Sequence, residues 1–370
     1  MYSPVKEGQV FTAGSKFNLH LSQSSSYFEV GGSKLSFDAK RSGDLVVPYI
    51  KTAEGKMTDD IEGELKKDFT ILTRKDLTAK QIAEAKSFVG SQDFTNILED
   101  FIRGSVAVLG EAGEGKTYIC QQFYNAALAG LIPQLKGVES VLVITATDLQ
   151  KGTMYVGTFD AKLEAIKAYY RNNEGKTIVF VDEVHTLKGT GTSKDNPTDG
   201  LQKIKTAMSV NHIKLLATTT NDEYLAMVGG DDALARRFPK VFKQKYTELE
   251  QKLIIRKVIQ NFGQPVPSDE IVDKILLYSN EFDVVGSQPA RAIKLIGKAT
   301  AKNEIANGKN HALDLATLNK TASEMYQVDP DILNKDKVLE KIKGLEKSLD
   351  TKIVGQELLK DKIIEATEIR

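Results

Sequence analysis

The chain has 370 residues, of which 41% are apolar, and this is enough for a sizeable core and two or three domains. Its 50 lysines and arginines balance 50 aspartates and glutamates, which argues against a protein that mainly coats nucleic acid. Cys120 is the only cysteine, so an intrachain disulfide is excluded and a reducing, cytoplasmic location is expected. The apolar runs are too short to span a membrane, and the scattered histidines do not predict a zinc site.

Residues 1–85 predict a small β-rich N-terminal domain. Two strand-like runs, 27–30 and 33–37, flank a Gly-Gly pair and predict a hairpin. A third run, 44–50, is expected at a sheet edge because Pro48 cannot donate to a strand ladder. Thr78 is the candidate N-cap of a helix that continues to residue 88. The region shows no catalytic motif, and we interpret it as a docking module.

Residues 86–246 alternate apolar strands with helical segments, which predicts a parallel sheet covered by helices on both faces. Strands are expected at 105–109, 141–146, 177–181, 213–218 and near 240–245, and helices at 117–129, 158–171 and 199–209. The predicted fold class is therefore α/β, with a five-stranded parallel sheet.

Residues 247–328 predict an all-helical domain. A capping box opens a helix over 247–262, and Ser268 caps the next helix, 269–279. Two more helices are expected at 288–306 and 314–326. Residues 329–370 begin with a charged helix that carries one narrow apolar stripe and reads as a linker.

A phosphate-binding loop is predicted between the strand 105–109 and the helix 117–129. The stretch reads G-x-x-x-x-G-K-[ST], and its glycines let backbone N–H groups turn toward phosphates at a helix N-terminus. The lysine would reach the β- and γ-phosphates, and the threonine hydroxyl would bind Mg²⁺. The nucleotide-binding residues are Gly110, Glu111, Ala112, Gly113, Glu114, Gly115, Lys116 and Thr117.

Two adjacent carboxylates follow the strand 177–181. In-line phosphate hydrolysis needs one carboxylate for the metal and one for the attacking water. We therefore assign Asp182 to Mg²⁺ and Glu183 to the water. Farther along, the strand 213–218 runs into hydroxyl side chains, and one of them can orient the water beside the γ-phosphate. Arg236 and Arg237 are either a solvated surface or arginine fingers that reach the site of a neighbouring subunit.

Together these motifs resemble the AAA+ ATPases, and within them the first ATPase module of the Clp family of protein unfoldases and disaggregases. The resemblance covers about 86–328 and rests on GEAGEGKT, on TIVFVDEVHTL and on the block from Ala217 to Phe238. It implies a helical lid over 247–328, a sensor threonine at Thr220, and arginine fingers at Arg236 and Arg237.

The same resemblance implies three further sites. Tyr155, beside glycines, corresponds to a pore-loop aromatic that grips polypeptide, and the alternative is a tyrosine packed at the base of a loop. The adenine pocket falls at Val89 and Gly90, although the arginine that the family places after the glycine is absent. Arg291 is either the lid arginine that senses the γ-phosphate or a surface residue.

The end of the chain repeats a feature of its middle. The run KIVGQELL at 352–359 echoes FVGSQ at 88–92, where the first module opens. In Clp proteins such a segment starts a second ATPase module. We therefore expect the N-terminal part of a longer two-ring protein, and the alternative is a short protein with a decayed second module.

The sequence as a whole predicts a motor that hydrolyses ATP with Mg²⁺, assembles as a homo-hexameric ring and threads polypeptides through a central pore. An adaptor or a peptidase is a compatible partner. The alternatives are a AAA+ nucleic-acid motor or loader, and a scaffold in which ATP only holds the ring together. Neutral charge and the absence of basic neighbours beside Tyr155 weigh against nucleic acid.

Overall fold

The computed structural model describes residues 60–150, 156–173, 176–188, 200–210, 212–229, 232–308 and 310–333. It also gives the backbone of short strands between residues 10 and 58 and of scattered residues between 337 and 363. The chain divides into two units, 1–110 with 116–244 and 111–115 with 245–370.

The N-terminal stretch of the first unit contains short strands. They are β1 (Val10–Thr12), β2 (Asn18–Leu21), β3 (Ser26–Val30), β4 (Ser33–Ser36), β5 (Ala39–Ser42), β6 (Leu45–Pro48), β7 (Ile50–Lys51) and β8 (Met57–Thr58). Strands β1 to β4 form an antiparallel sheet in sequence order, β5 pairs with β6, and β7 pairs with β8. The predicted hairpin is present, because β3 and β4 pair with Phe28 opposite Leu35.

The rest of the first unit alternates helices and strands, which the sequence predicts for residues 86–246 but not for the elements before them. The elements are α1 (Ile61–Lys66), β9 (Thr70–Thr73), α2 (Ala79–Phe88), α3 (Gln92–Phe101), β10 (Val106–Leu109), α4 (Lys116–Leu128), β11 (Ser140–Ile144), α5 (Ala146–Gln150), α6 (Val156–Asn172), β12 (Thr177–Val181), α7 (Gly200–Val210), β13 (Leu215–Thr219), α8 (Asn221–Val228), α9 (Asp232–Arg237) and β14 (Lys240–Phe242). Thr78 caps α2 as expected, and its side chain accepts a hydrogen bond from the Gln81 backbone.

The central sheet has six strands in the order β14-β10-β13-β12-β11-β9. The five predicted strands are all present and parallel. The prediction of a purely parallel, five-stranded sheet is wrong, because β9 adds an antiparallel strand beside β11. Strand β9 is only 4 residues long and charged residues follow it, so its sequence carries little strand signal.

Alternation along the parallel strands explains why helices cover both faces of the sheet. On one face Leu109, Ile144 and Val181 join a buried cluster with residues of α6 and α7. On the other face Val108 and Phe180 join a second cluster with residues of α3 and α4. Because successive side chains of a strand point to opposite faces, a continuous apolar strand supplies two cores at once. Because these strands are parallel, their carboxyl ends, where polar residues begin, lie at the same edge of the sheet.

The second unit is helical where the structure describes it. Its helices are α10 (Glu248–Asn261), α11 (Asp269–Glu281), α12 (Ala290–Asn307) and α13 (Leu315–Tyr326), followed by a 3₁₀ turn at Pro330–Leu333. The predicted caps are confirmed, with a capping box at Thr247 and a side-chain cap at Ser268. One apolar cluster, which includes Ile259, Ile275 and Leu295, joins these helices. Among the described helices of the chain, none has the length and apolarity needed to cross a membrane.

Candidate functional site

The glycine-rich loop lies between β10 and α4, as its sequence pattern predicts. Gly113 and Gly115 have φ values of 88° and 86°, in the left-handed region that side chains with a Cβ rarely adopt. A Cβ on Gly113 would also lie 2.6 Å from the Ala290 Cβ. Both positions therefore favour glycine over any residue with a Cβ.

The loop is held from within at two points. Glu114 is buried, and its carboxylate accepts a hydrogen bond from the Glu111 N–H at 2.8 Å. Lys116 Nζ donates to the Gly110 carbonyl at 2.9 Å. The lysine ammonium therefore lies beside the loop backbone, and its role in phosphate binding stays a prediction.

Within the second unit, the segment that leads into α12 bonds the backbone of the loop residues 111–115. The Ser287 N–H donates to the Ala112 carbonyl at 3.0 Å, and the Ala290 N–H donates to the Gly113 carbonyl at 3.3 Å. Arg291, in the first turn of α12, is partly buried and donates from Nε to the Gly286 carbonyl at 2.7 Å. The role of Arg291 as a phosphate sensor stays a prediction.

The structure brings the two predicted Mg²⁺ ligands into contact. Thr117 stands in the first turn of α4, and its hydroxyl donates to Asp182 Oδ1 at 3.0 Å. Asp182 directly follows β12, so its carboxylate lies at the carboxyl edge of the sheet. A hydroxyl and a carboxylate are hard oxygen donors of the kind that Mg²⁺ takes, with water and phosphate oxygens completing its shell. The chemistry of this donor pair therefore fits the ion.

Glu183 has an uncommon backbone conformation. Its φ and ψ are 50° and 54°, which places a non-glycine residue in the left-handed region. Its N–H donates to the hydroxyl of Thr218 at 2.9 Å. The Glu183 side chain is exposed, whereas Val181 and Val184 on either side of the pair Asp182-Glu183 are buried. The chain thus turns sharply at this point and leaves the carboxylate accessible.

Three consecutive threonines at the end of β13 have different hydrogen-bond partners. Thr218 donates to Asp182 Oδ1, Thr219 lies 3.1 Å from His185 Nδ1, and Thr220 caps α8 by accepting from the Glu223 N–H at 3.3 Å. Of these three hydroxyls, that of Thr218 contacts the Asp182 carboxylate, and the sequence does not single out Thr218. Thr220 as a sensor stays a prediction.

Glu223 links the end of β13 to the turn after Glu183. Its carboxylate accepts from the Thr220 N–H at 3.0 Å and lies 3.1 Å from His185 Nδ1. Burial raises the pKa of Glu223, but the hydrogen bonds from Thr220 and the nearby His185 outweigh burial and lower the pKa below its ordinary value. Glu223 is therefore ionised, and its carboxylate connects the backbone at Thr220 with the side chain of His185.

The remaining predicted site residues lie in several places. Arg236 and Arg237 are exposed in the last turn of α9. Val89 is the C-cap of α2 and packs partly buried against one core cluster, and Gly90 follows with φ 89°. Tyr155 lies outside the described residues. The roles given to these residues stay predictions.

Thiol chemistry and a multi-ligand metal centre find no support in the described part of the chain. Cys120 is fully buried on α4, and burial raises its thiol pKa well above the ordinary value, so the thiol stays protonated. Across the residues that the structure describes, no group of three or more His, Cys, Asp and Glu side chains is placed to hold a metal ion.

Comparison with known proteins agrees with these observations. Residues 106–246 match the model of the ATPase family associated with various cellular activities (AAA). The chaperone protein ClpB of Mycoplasmoides gallisepticum is 32% identical over 206 residues, which cover 54% of this chain and 28% of that protein. ClpB of Mesorhizobium japonicum is 27% identical over 299 residues, which cover 77% of this chain and 34% of that protein.

Solved structures show the same fold. The ADP complex of S. cerevisiae Hsp104 matches with a TM-score of 0.63 at 21% identity, covering 82% of this chain and 52% of that one. The extended Hsp104–casein complex matches with a TM-score of 0.61 at 20% identity, covering 83% and 53%. This chain thus spans about a third of the length of the second ClpB and about half of each Hsp104 chain. Residues 106–246 accordingly match the AAA ATPase family, in a chain that is similar in sequence to ClpB chaperones and in fold to Hsp104.

Proposed function

We propose that this chain is a Mg²⁺-dependent ATPase module that assembles as a ring and remodels polypeptides. The observation that carries the proposal is the contact between the Thr117 hydroxyl and the Asp182 carboxylate, at the end of a strand whose next residue is Glu183. A metal-binding pair beside a glycine-rich loop, with a second carboxylate adjacent in the chain, is what phosphoryl transfer to water requires.

Each group in the proposed site has a separate task. The loop N–H groups and Lys116 bind the phosphates, and Thr117 and Asp182 hold Mg²⁺. The ion, when bound, neutralises charge that develops between the β- and γ-phosphates. Glu183 orients a water molecule and takes its proton as the water attacks the γ-phosphorus. ADP and phosphate are the products.

The nature of the work rests on the relatives. One Hsp104 chain that matches this fold was solved with casein, and the ClpB proteins that match the sequence are chaperones. By extension, we propose that this chain assembles as a hexameric ring. The ring would grip unfolded polypeptide at Tyr155. Balanced charge does not favour the alternative of a nucleic-acid motor.

Stimulation of hydrolysis distinguishes these functions. The purified chain is expected to release phosphate from ATP only with Mg²⁺, and unfolded casein should raise the rate severalfold while single-stranded DNA does not. Tyr155→Ala should keep the basal rate and lose the stimulation by casein. Stimulation by DNA that weakens as salt rises would instead support the nucleic-acid motor. No phosphate release under any condition would reject the proposed ATPase.

The exposed arginines of α9 provide a test of ring assembly. Arg236→Ala and Arg237→Ala are expected to keep ATP affinity and to lower hydrolysis at least about a hundredfold, because a finger acts on transition-state charge. Arg171→Ala, in the last turn of α6, is a matched exposed control. Mixing either finger variant with Lys116→Ala subunits should restore part of the activity. A failure of rescue at every mixing ratio would contradict action between subunits.

A further inference from the structure

The position of Thr218 in the sheet places it beside the two carboxylates. Thr218 belongs to β13 and its side chain is 0% exposed. In the register between β12 and β13, Val181 pairs with Ala217. The next residue on each strand is therefore Asp182 on one side and Thr218 on the other, at the edge where the parallel strands end. Thr218 therefore lies beside the point where the apolar strand β12 ends and the turn at Asp182 and Glu183 begins.

The Thr218 hydroxyl makes two hydrogen bonds, and they have opposite directions. It donates to Asp182 Oδ1 at 2.5 Å and accepts from the Glu183 N–H at 2.9 Å. A hydroxyl has one hydrogen and two acceptor sites, so both bonds form together. The first bond fixes the carboxylate that also contacts Thr117, and the second fixes the main chain of the neighbouring residue.

The second bond matters because of the Glu183 backbone. A non-glycine residue at φ 50° and ψ 54° is held there by its surroundings and not by its own preference. The bond from its N–H to Thr218 is one such restraint, and it determines the direction in which the exposed Glu183 side chain leaves the chain. Loss of the hydroxyl would free this turn and leave the N–H without its side-chain acceptor.

The neighbouring threonines do not duplicate this arrangement. The Thr219 hydroxyl contacts His185 and Glu223, and Thr220 caps α8. Alternation along a strand turns Thr219 toward the face opposite to that of Thr218. A shift of the bonding pattern by one residue is therefore excluded by the pleat of the sheet.

We infer that Thr218 is a positioning residue that aligns the metal-binding carboxylate of Asp182 and the water-activating Glu183 through a single hydroxyl. The inference rests on the proposed ATPase function. The role inferred for Thr218 differs from the sensing of the γ-phosphate. The Thr218 hydroxyl contacts the Asp182 carboxylate and the Glu183 backbone, and it would not act on the nucleotide directly.

Thr218→Val removes the hydroxyl and keeps the shape of the side chain, whereas Thr218→Ser keeps the hydroxyl. The valine variant is expected to lower kcat about ten- to a hundredfold, because a hydrogen bond to a charged group is lost, with KM for ATP within about threefold of wild type. It should also need severalfold more Mg²⁺ for half-maximal activity. Thr218→Ser should stay within about threefold of wild type in both quantities.

Thr177→Val is the matched control. Thr177 is a buried threonine at the first residue of β12, where its hydroxyl lies 2.8 Å from that of Ser140, at the end of the strand opposite to Asp182. The Thr177→Val variant should have the kcat and the Mg²⁺ requirement of the wild type. If Thr218→Val does not fold, Thr218→Ala decides, since it also lacks the hydroxyl. Unchanged kcat and Mg²⁺ requirement in the folded variant, or an equal loss in Thr218→Ser, would overturn the inference.

Amide hydrogen exchange separates this inference from the proposed function. In the nucleotide-free protein, the Glu183 amide is expected to exchange about tenfold faster in Thr218→Val than in wild type, and not in Thr177→Val. Equal exchange in Thr218→Val and wild type overturns the positioning role. A wild-type protein that hydrolyses no ATP rejects the ATPase proposal, while the exchange result still decides the role of Thr218.

Discussion

Replacing Glu183 with glutamine is expected to lower ATP turnover by at least about a hundredfold and to leave ATP binding nearly unchanged. Glutamine has the size of glutamate, but it cannot take a proton from water, and general-base catalysis contributes about 10²–10⁴ to a rate. The exposed position of the side chain means that the substitution disturbs no core packing. Phosphate release and titration with a fluorescent ATP analogue measure the two quantities.

Glu139→Gln provides the control for this charge change. Glu139 is exposed before β11, at the amino ends of the parallel strands and so opposite to Asp182 and Glu183, and its partner is Lys176. Both the rate and the affinity should remain at wild-type values. If Glu183→Gln turned over ATP at the wild-type rate, Glu183 would not be the catalytic carboxylate. If its rate falls as expected, the variant held in ATP becomes a trap with which bound polypeptides can be captured and identified.

Replacing Lys116 with alanine should weaken nucleotide binding by at least about tenfold and abolish hydrolysis at ordinary ATP concentrations. The ammonium supplies a charge-assisted contact to phosphate oxygens, which is stronger than a neutral hydrogen bond. Lys116 also bonds the Gly110 carbonyl, so its loss loosens the loop at the same time. The dissociation constant of ATP, measured with and without Mg²⁺, reports the effect on binding directly.

Lys176→Ala is the matched lysine variant, because Lys176 is exposed and pairs with Glu139 before β12. Its ATP affinity should equal that of wild type. Thermal unfolding of Lys116→Ala should show a folded protein whose melting temperature no longer rises on addition of ATP. Wild-type affinity in Lys116→Ala would contradict the assignment of the glycine-rich loop as the phosphate site.

The sequence predicts best those residues whose chemistry depends on neighbours along the chain. The loop motif and the pair Asp182-Glu183 have characteristic local patterns, and the strand before the pair is observed at its predicted bounds, Thr177–Val181. The contact between Thr117 and Asp182 joins residues 65 positions apart, yet the parallel sheet makes it predictable, since β10 and β12 run in the same direction and end at one edge, with β13 between them.

The sequence does not predict features that depend on the register between paired strands or on a short strand at the edge of the sheet. The resemblance to the AAA+ ATPases implies a sensor at Thr220, whereas the contact of the Thr218 hydroxyl with Asp182 depends on Ala217 pairing with Val181. The burial of Glu114 is a second such feature, because its carboxylate accepts a hydrogen bond from the Glu111 N–H within the folded loop. Strand β9 carries too few residues for a periodic pattern to appear.

The antiparallel strand β9 determines where this chain tolerates being cut. It covers the unpaired backbone groups of β11, which would otherwise offer a template for strands of other molecules. The turn before β9 also supplies Asp68, which lies 3.0 Å from the buried ammonium of Lys162. A fragment beginning at residue 86 would lose the strand and this carboxylate together. Such a fragment would be prone to aggregate while its nucleotide motif remained intact.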